Sequence, residues 1–224
     1  TFTHKLGGLL DMPYENLGTC GASNEKIFRD TLSYLMDPEK EDPTHMAILW
    51  SAWQRNEFAE NRSVEFETEA NIKRWQCMTQ ISPTRLHNLR PDTRRTYEEA
   101  LFYIDTDRTG VIQGLSKIQA MELICESRGI KLIQGTFHKR CYENILSLSK
   151  PRYRMTDEPW TEWIDFTQGQ LKSLKDTSRQ GLGKGKSFFE IGGEEGTIQK
   201  YGHPCEKGHT AYAKVLHELF ETGF

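Results

Sequence analysis

A chain of 224 residues is long enough to bury the core of one sizeable domain, and we predict a single domain over residues 1–224. The net charge of -3 and the isoelectric point near 6.2 argue against a general nucleic-acid-binding protein, which would carry a basic face. The apolar runs are only a few residues long, so we expect a soluble protein without membrane contacts.

The five cysteines show no C-x-x-C spacing. This pattern predicts neither a disulfide framework nor a zinc ribbon, and it fits a reducing compartment such as the cytoplasm.

The first part of the chain predicts a helix, a strand and a second helix. Residues 4–10 suit a short helix, and residues 14–17 are expected to form a strand. Small residues then break the chain, and Ser23 or Asn24 is suited to cap the helix that follows. One face of that helix would carry the apolar positions that recur at the helical period, Ile27, Phe28, Thr31, Leu32 and Leu35.

Residues 45–51 form an apolar run of strand length without alternation. Such a run is typical of a strand covered on both faces in a parallel sheet. Residues 51–58 follow at its carboxyl end, where open α/β sheets place their binding sites. Residues 61–110 are polar, and we predict an exposed insertion with short helices there.

The second half of the chain repeats the alternation of helix and strand. Residues 111–128 are helical in pattern, Gly129 supplies a stop, and residues 130–137 read as a strand. Glycines indicate loops at 181–187 and at 192–193, and a final helix is expected from Cys205 or Glu206 to Phe220. The alternation predicts an α/β fold, a three-layer sandwich around a central, mostly parallel sheet.

Three local patterns are weak indications of a ligand. Residues 181–187 lack the first glycine and the preceding strand of a phosphate loop, which leaves a nucleotide-binding protein as a remote alternative. Residues 105–110 resemble half of a calcium loop, but Ser116 stands where a bidentate carboxylate is required. His203 and His209 lack a third metal ligand at a suitable spacing. We therefore predict no metal and no organic cofactor.

A His-Pro turn precedes the final helix. Pro204 fixes its own φ and keeps His203 out of the helical region, so the imidazole is presented on a loop. Such a loop is how a catalytic histidine is often presented, and it is also how an ordinary helix begins.

Three segments together resemble the SGNH (GDSL-type) hydrolase family. Residues 16–24 are similar to the second block of that family. Residues 49–57 resemble a phage-type third block with a Trp-Ser-x-x-x-Arg-x-Glu pattern, and residues 202–213 resemble the last block, His-Pro-x-x-x-Gly-His. The resemblance implies a flavodoxin-like α/β fold and, through the third block, a virus-encoded protein.

The resemblance also implies an enzyme that cleaves an ester, with an O-acetyl group on a carbohydrate as the candidate substrate. A hydroxyl would attack the carbonyl carbon, His203 would accept the proton, and the N–H of Gly21 would bind the oxyanion. Thr1 aligns either with the nucleophilic serine or with a later threonine of the first block, whose serine would then lie upstream.

Two positions depart from the family pattern. Lys200 stands where the family has its acid, so Asp165 or Glu194 would have to orient His203. The oxyanion asparagine of the third block falls on Ala52 or Trp53, and the side chains that could replace it are Asn56, Ser51 and Arg55.

Trp50, Trp53 and Arg55 have two interpretations. They are either core and salt-bridge residues, or groups at the rim of the site that stack on a sugar and bind an oxygen. A second functional hypothesis follows from the departures: a catalytically inactive module of the SGNH fold that binds a glycan or serves as a virion or assembly component, with virion or homo-oligomer contacts.

Overall fold

A computed structural model of the chain describes residues 1–19, 22–53, 56–58, 79–81, 106–138, 187–194 and 205–222. The helices in these ranges are α1 (Phe2–Leu10), α2 (Asn24–Leu35), α3 (Thr106–Ser127), α4 (Phe188–Glu194) and α5 (Glu206–Glu221). The strands are β1 (His45–Trp50), β2 (Asn56–Phe58), β3 (Thr79–Ile81) and β4 (Lys131–Thr136).

The strands β1 and β4 pair in parallel, with His45 opposite Lys131 and Trp50 opposite Thr136. This confirms the prediction that the apolar run at 45–51 lies in a parallel sheet. The short strands β2 and β3 form a separate antiparallel pair in which Asn56 lies opposite Ile81. The described residues therefore combine helices with a small parallel sheet, as expected for a protein of mixed α/β content.

Side chains from the two faces of the β1–β4 pair enter two different hydrophobic clusters. On one face, Ile48, Trp50 and Leu132 pack with residues of α2 and α3. On the other face, Ile133 packs with residues of α1, α4 and α5, and the alternate β1 residues Ala47 and Leu49 lie against the same cluster. Because successive strand side chains point to opposite faces, one short pair of strands supports both clusters.

Local capping explains where α2 begins and where α3 ends. The Ser23 hydroxyl accepts a hydrogen bond from the N–H of Lys26 (3.1 Å), which confirms the predicted start of α2. At the end of α3, Gly129 has a left-handed φ of 68°, and the N–H of Ile130 donates to the carbonyl of Cys125 (2.8 Å). This is a Schellman motif, so the predicted glycine stop is confirmed.

The helices α2 and α3 run opposite to the strands they cover. The first residue of α2, Asn24, bonds to Ser51 just beyond the end of β1, whereas the carbonyl of Leu35 at its other end accepts from Arg128, which precedes β4. In α3, Gly110 lies against Trp53 near the end of β1, and the Cys125 thiol lies 4.0 Å from the sulfur of Met46 at the start of β1.

The helices α1 and α5 cover the other face of the β1–β4 pair and run in the same direction as α2 and α3. The ring of His209, in the first turn of α5, lies 5.0 Å from the ring of Phe188, and the neighbouring N–H of Phe189 donates to the carbonyl of Phe137 just beyond β4. At the other end of α5, the ring of Phe220 packs at 4.9 Å on His45.

Helix α1 likewise begins near Phe188, whose ring lies 5.9 Å from that of Phe2. The chain just beyond its other end reaches the start of β1, where the sulfur of Met12 lies 3.9 Å from the Thr44 hydroxyl. The helices α1, α2, α3 and α5 therefore all begin at the end of the sheet marked by Ser51 and Phe137, which we call the carboxyl edge.

Two predictions from the sequence are wrong. Residues 14–17 form no strand, because the Asn16 side chain accepts hydrogen bonds from the Gly18 N–H (3.2 Å) and the Thr3 hydroxyl (3.3 Å) and so holds a local turn. Gly192 and Gly193 lie in α4 rather than in a loop.

A capping contact at the start of α4 explains why these residues form a helix. The Glu190 carboxylate accepts from both the N–H (2.9 Å) and the hydroxyl (2.7 Å) of Ser187. This is a capping box, and its Ser-x-x-Glu spacing was visible in the sequence.

The predicted insertion at 61–110 lies mostly outside the described residues, as do the fragments expected at 138–180 beyond His138. Residues 106–110 begin α3, so this part of the half calcium loop has helical geometry rather than that of an ion-binding loop. Among the described helices, even the 22-residue α3 lacks the apolar length that crossing a bilayer requires.

Candidate functional site

The end of β1 is fastened to the start of α2 by one side chain. The Asn24 amide oxygen accepts from the N–H of Ser51 (2.7 Å), and its nitrogen donates to the carbonyl of the same residue (3.3 Å). Asn24 is 3% exposed and Ser51 is 6% exposed, so these bonds satisfy buried backbone groups beyond the last strand pairing. This contact joins segment 16–24 to segment 49–57 at the carboxyl edge.

The start of α5 lies at the same edge. Cys205 is its N-cap residue and makes no side-chain capping bond, and Glu206 begins the first turn. The predicted base His203 comes two residues earlier and lies outside the described residues. Cys125 is buried in the core, and burial raises the pKa of its thiol to about 11.

Thr1 is placed beside the start of α5. Its hydroxyl accepts a bond from the N–H of His4 (3.4 Å), which makes it the N-cap of α1. One turn later, the Lys5 ammonium lies 2.8 Å from the Glu206 carboxylate and lowers the pKa of that carboxyl. The predicted hydroxyl group and the helix that follows His203 are therefore brought together by the packing of α1 on α5.

His209 is a packing residue in the cluster formed by α1, α4 and α5. Its ring is stacked on that of Phe2, with centroids 6.4 Å apart and an angle of 13°, and lies 5.0 Å from Phe188. Its Nδ1 is buried without a hydrogen-bond partner among the described residues. Burial lowers the pKa of His209, so the ring favours its neutral form.

No group of three His, Cys, Asp or Glu side chains suited to a metal ion is found in the described ranges. In this structure His209 packs against the rings of the cluster rather than contributing to a metal site.

Trp50 and Trp53 both lie in the hydrophobic core. Trp50 is 0% exposed and its indole N–H donates to the Gln134 side-chain oxygen (2.8 Å). Trp53 is 2% exposed and lies against Gly110 and Gly114 of α3. The first of the two interpretations describes them, because rings covered to this extent offer no face on which a sugar could stack.

The remaining predicted site residues are less fully described. Asn56 is in β2, but only its backbone is described, and the same holds for Glu194 in α4. Gly21, Arg55, Asp165 and Lys200 lie outside the described residues. Nearest to Gly21 among the described residues are Thr19 and Ala22, and the N–H of Ala22 donates to the carbonyl of Thr19 (3.2 Å).

A shallow groove lies away from this edge, around the end of α1 and the chain that follows. Gly7, Met12 and Pro13 contribute to its lining, and the His4 Nδ1 lies 3.0 Å from the Tyr14 hydroxyl at its side. It contains none of the residues that the resemblance singles out.

Comparison with protein-family models, with curated proteins and with solved structures found no match for this chain. The assignment of a function therefore depends on the residues and on the geometry of the carboxyl edge.

Proposed function

We propose that the chain is an ester hydrolase of the SGNH type whose active site lies at the carboxyl edge. One observation carries the proposal: the segments that resemble the family are far apart in sequence, yet their described parts lie at this edge. Asn24 joins the first two segments through Ser51, and α5, which carries the third, begins at the same edge.

The proposal extends to the fold. A three-layer, flavodoxin-like sandwich would have helices on both faces of a parallel sheet, with ligands bound beyond the carboxyl ends of the strands. The two clusters on opposite faces of the β1–β4 pair, and the common direction of the helices, support this architecture.

The proposed reaction is acyl transfer to water. A hydroxyl oxygen of the protein attacks the ester carbonyl while His203 accepts its proton, and the alcohol leaves with a proton returned by His203. Water then cleaves the acyl-enzyme by the same route. The positive ends of the helices that begin at the edge favour the negative charge that develops on the carbonyl oxygen, in addition to the N–H of Gly21.

The nucleophile is either Thr1 or a serine upstream of it. Thr1 is supported by its place at the start of α1, beside the helix that follows His203. As substrate we propose an O-acetyl ester of a carbohydrate, and no metal or organic cofactor takes part.

Hydrolysis of p-nitrophenyl acetate tests the proposal. We expect His203→Ala to lower kcat/KM by about 10²–10⁴-fold, because a general base supplies an acceleration of this size. His217→Ala, with a histidine near the other end of α5, is the matched control and should keep the wild-type rate. Equal activity of the wild type and His203→Ala would exclude His203 as the base.

A catalytically inactive module that binds a glycan is the second candidate. It is favoured by the use of the Thr1 hydroxyl as a helix cap and by Lys200 at the position of the family's acid. Absence of esterase activity, together with retention of the wild-type protein on an O-acetylated glycan, would support this candidate over the first.

A further inference from the structure

We propose that Asn24 is a positioning residue that sets the distance between the two oxyanion-binding segments of the site. The proposal rests on the function proposed above. It begins from the bidentate contact at the end of β1, where one buried amide satisfies both the N–H and the carbonyl of Ser51.

The Asn24 side chain takes the place of a neighbouring strand. Pairing with β4 ends where the N–H of Phe137 donates to the carbonyl of Trp50 (2.9 Å), one residue before Ser51. A side-chain amide presents one donor and one acceptor, as a peptide group does. Asn24 thereby holds the chain in register at the point where it leaves the sheet.

The chain is held a second time two residues later. The carbonyl and side chain of Trp53 lie against the backbone of Gly110, so closely that a Cβ on this glycine would overlap them. Residues 51–53 are therefore fixed between the start of α2 and the first part of α3. Three side chains are proposed to bind the oxyanion, those of Ser51, Arg55 and Asn56. Ser51 lies in this segment, and Arg55 and Asn56 follow it in the chain.

Asn24 also lies three residues after Gly21, the other proposed donor, in the first turn of α2. It therefore links the segment that carries one oxyanion donor to the segment that carries the other. Donors must stand about 2.7–3.1 Å from the oxyanion to stabilise it, and a displacement of about 1 Å can cost about 10²-fold in rate. Loss of this link should therefore reduce the stabilisation of the transition state more than it reduces the affinity for the substrate.

The test compares Asn24→Ala with Asn24→Asp and with a control on the same helix. Asn24→Ala removes both bonds, and Asn24→Asp keeps the acceptor for the N–H of Ser51 but loses the donor to its carbonyl. Thr31→Ala is the control, because Thr31 is also buried and hydrogen-bonded in α2 but lies two turns from the end of β1. The full chain is used throughout, with p-nitrophenyl acetate as substrate.

We expect Asn24→Ala to lower kcat by about 10–100-fold with KM within about twofold of the wild type, and Asn24→Asp to lie between. Thr31→Ala should lower the melting temperature yet keep kcat. A kcat for Asn24→Ala within twofold of the wild type, or an equal loss in Thr31→Ala, would overturn the proposal.

Amide hydrogen exchange provides a readout that needs no activity. Exchange at Ser51 should accelerate in Asn24→Ala and remain at the wild-type rate in Thr31→Ala. A wild-type protein without esterase activity would refute the proposed function. Unchanged exchange at Ser51 in Asn24→Ala would refute the positioning role instead, so the two failures are distinguishable.

Discussion

The indole of Trp53 lies directly on the backbone of Gly114 in α3. A Cβ at this position would overlap ring carbons of Trp53, and a Cβ one helical turn earlier, on Gly110, would overlap the carbonyl of the same residue. The two glycines thus form the surface on which the chain after β1 is seated. The contact is possible because neither glycine has a side chain, and any side chain at these positions would force the tryptophan and α3 apart.

Gly114→Ala should therefore destabilise the protein, although alanine ordinarily favours a helix. We expect a loss of about 1–3 kcal/mol in the free energy of unfolding, measured in urea, because overpacking outweighs helix propensity here. Gly8→Ala is the control: this exposed glycine of α1 has open space around its Cβ position, and the substitution should stabilise by about 0.5–1 kcal/mol. Equal effects of the two substitutions would contradict the packing.

A buried polar network spans β1, β4 and α3. The Gln134 side chain accepts from the Trp50 indole N–H (2.8 Å) and donates to the Ile118 carbonyl (3.1 Å), and Gln134 is 0% exposed. We expect Gln134→Leu to cost about 1–3 kcal/mol, because the indole N–H is left buried without a partner. Gln113→Leu, at an exposed position of α3, should change the free energy of unfolding by less than about 0.5 kcal/mol.

Protonation of His209 should destabilise the fold in mild acid. Burial holds its pKa below the ordinary value of 6.5, so the unfolded chain binds more protons than the folded chain in the window just below that pH. The stabilisation is complete above about pH 6.5 and is lost as the pH falls through the pKa of the folded state. Burial lowers the pKa of His45 as well, so both histidines act in the same direction.

Substitution of His209 separates its contribution to the pH dependence of stability from that of His45. We expect the free energy of unfolding of the wild type to fall between pH 7.5 and pH 5.5, and the fall to be smaller in His209→Gln. The slope against pH is the relevant quantity, because the loss of ring contacts lowers the stability of the variant at every pH. An identical slope in both proteins would show that the pKa of His209 does not change on folding.

The two roles of Thr1 can be separated because a good helix cap need not be a nucleophile. Asparagine caps a helix about as well as threonine, whereas it has no hydroxyl. If Thr1 is the nucleophile, Thr1→Asn should lose esterase activity at unchanged stability, and Thr1→Ser should keep both. Full activity of Thr1→Asn would assign the reaction to another hydroxyl group.

Much of the fold followed from local patterns. The ends of α2 and α3 were predictable because Ser23 and Gly129 act on their own neighbours, and β1 was predictable because its apolar run needs cover on both faces. The strand expected at 14–17 failed because propensity does not include the local bonds of the Asn16 side chain.

The candidate site was less predictable, since its contacts join distant residues. Asn24 and Ser51 are 27 positions apart, and the sequence suggested only a capping role for Asn24. The burial of Trp53 depends on glycines in α3, which no pattern around Trp53 reveals. The roles of His203 and Gly21 remain predictions.

The direction of α5 determines at which end the protein can be attached to a support without obstructing the proposed active site. Its 16 residues extend over about 24 Å from the carboxyl edge to the opposite edge, where Phe220 meets His45. A tether attached at the exposed Glu221 would leave the proposed active site facing away from the support. A bulky group attached to Thr1 would instead stand at the start of α1, next to Phe2, whose ring is stacked on that of His209, so the point of attachment will influence any assay of this protein.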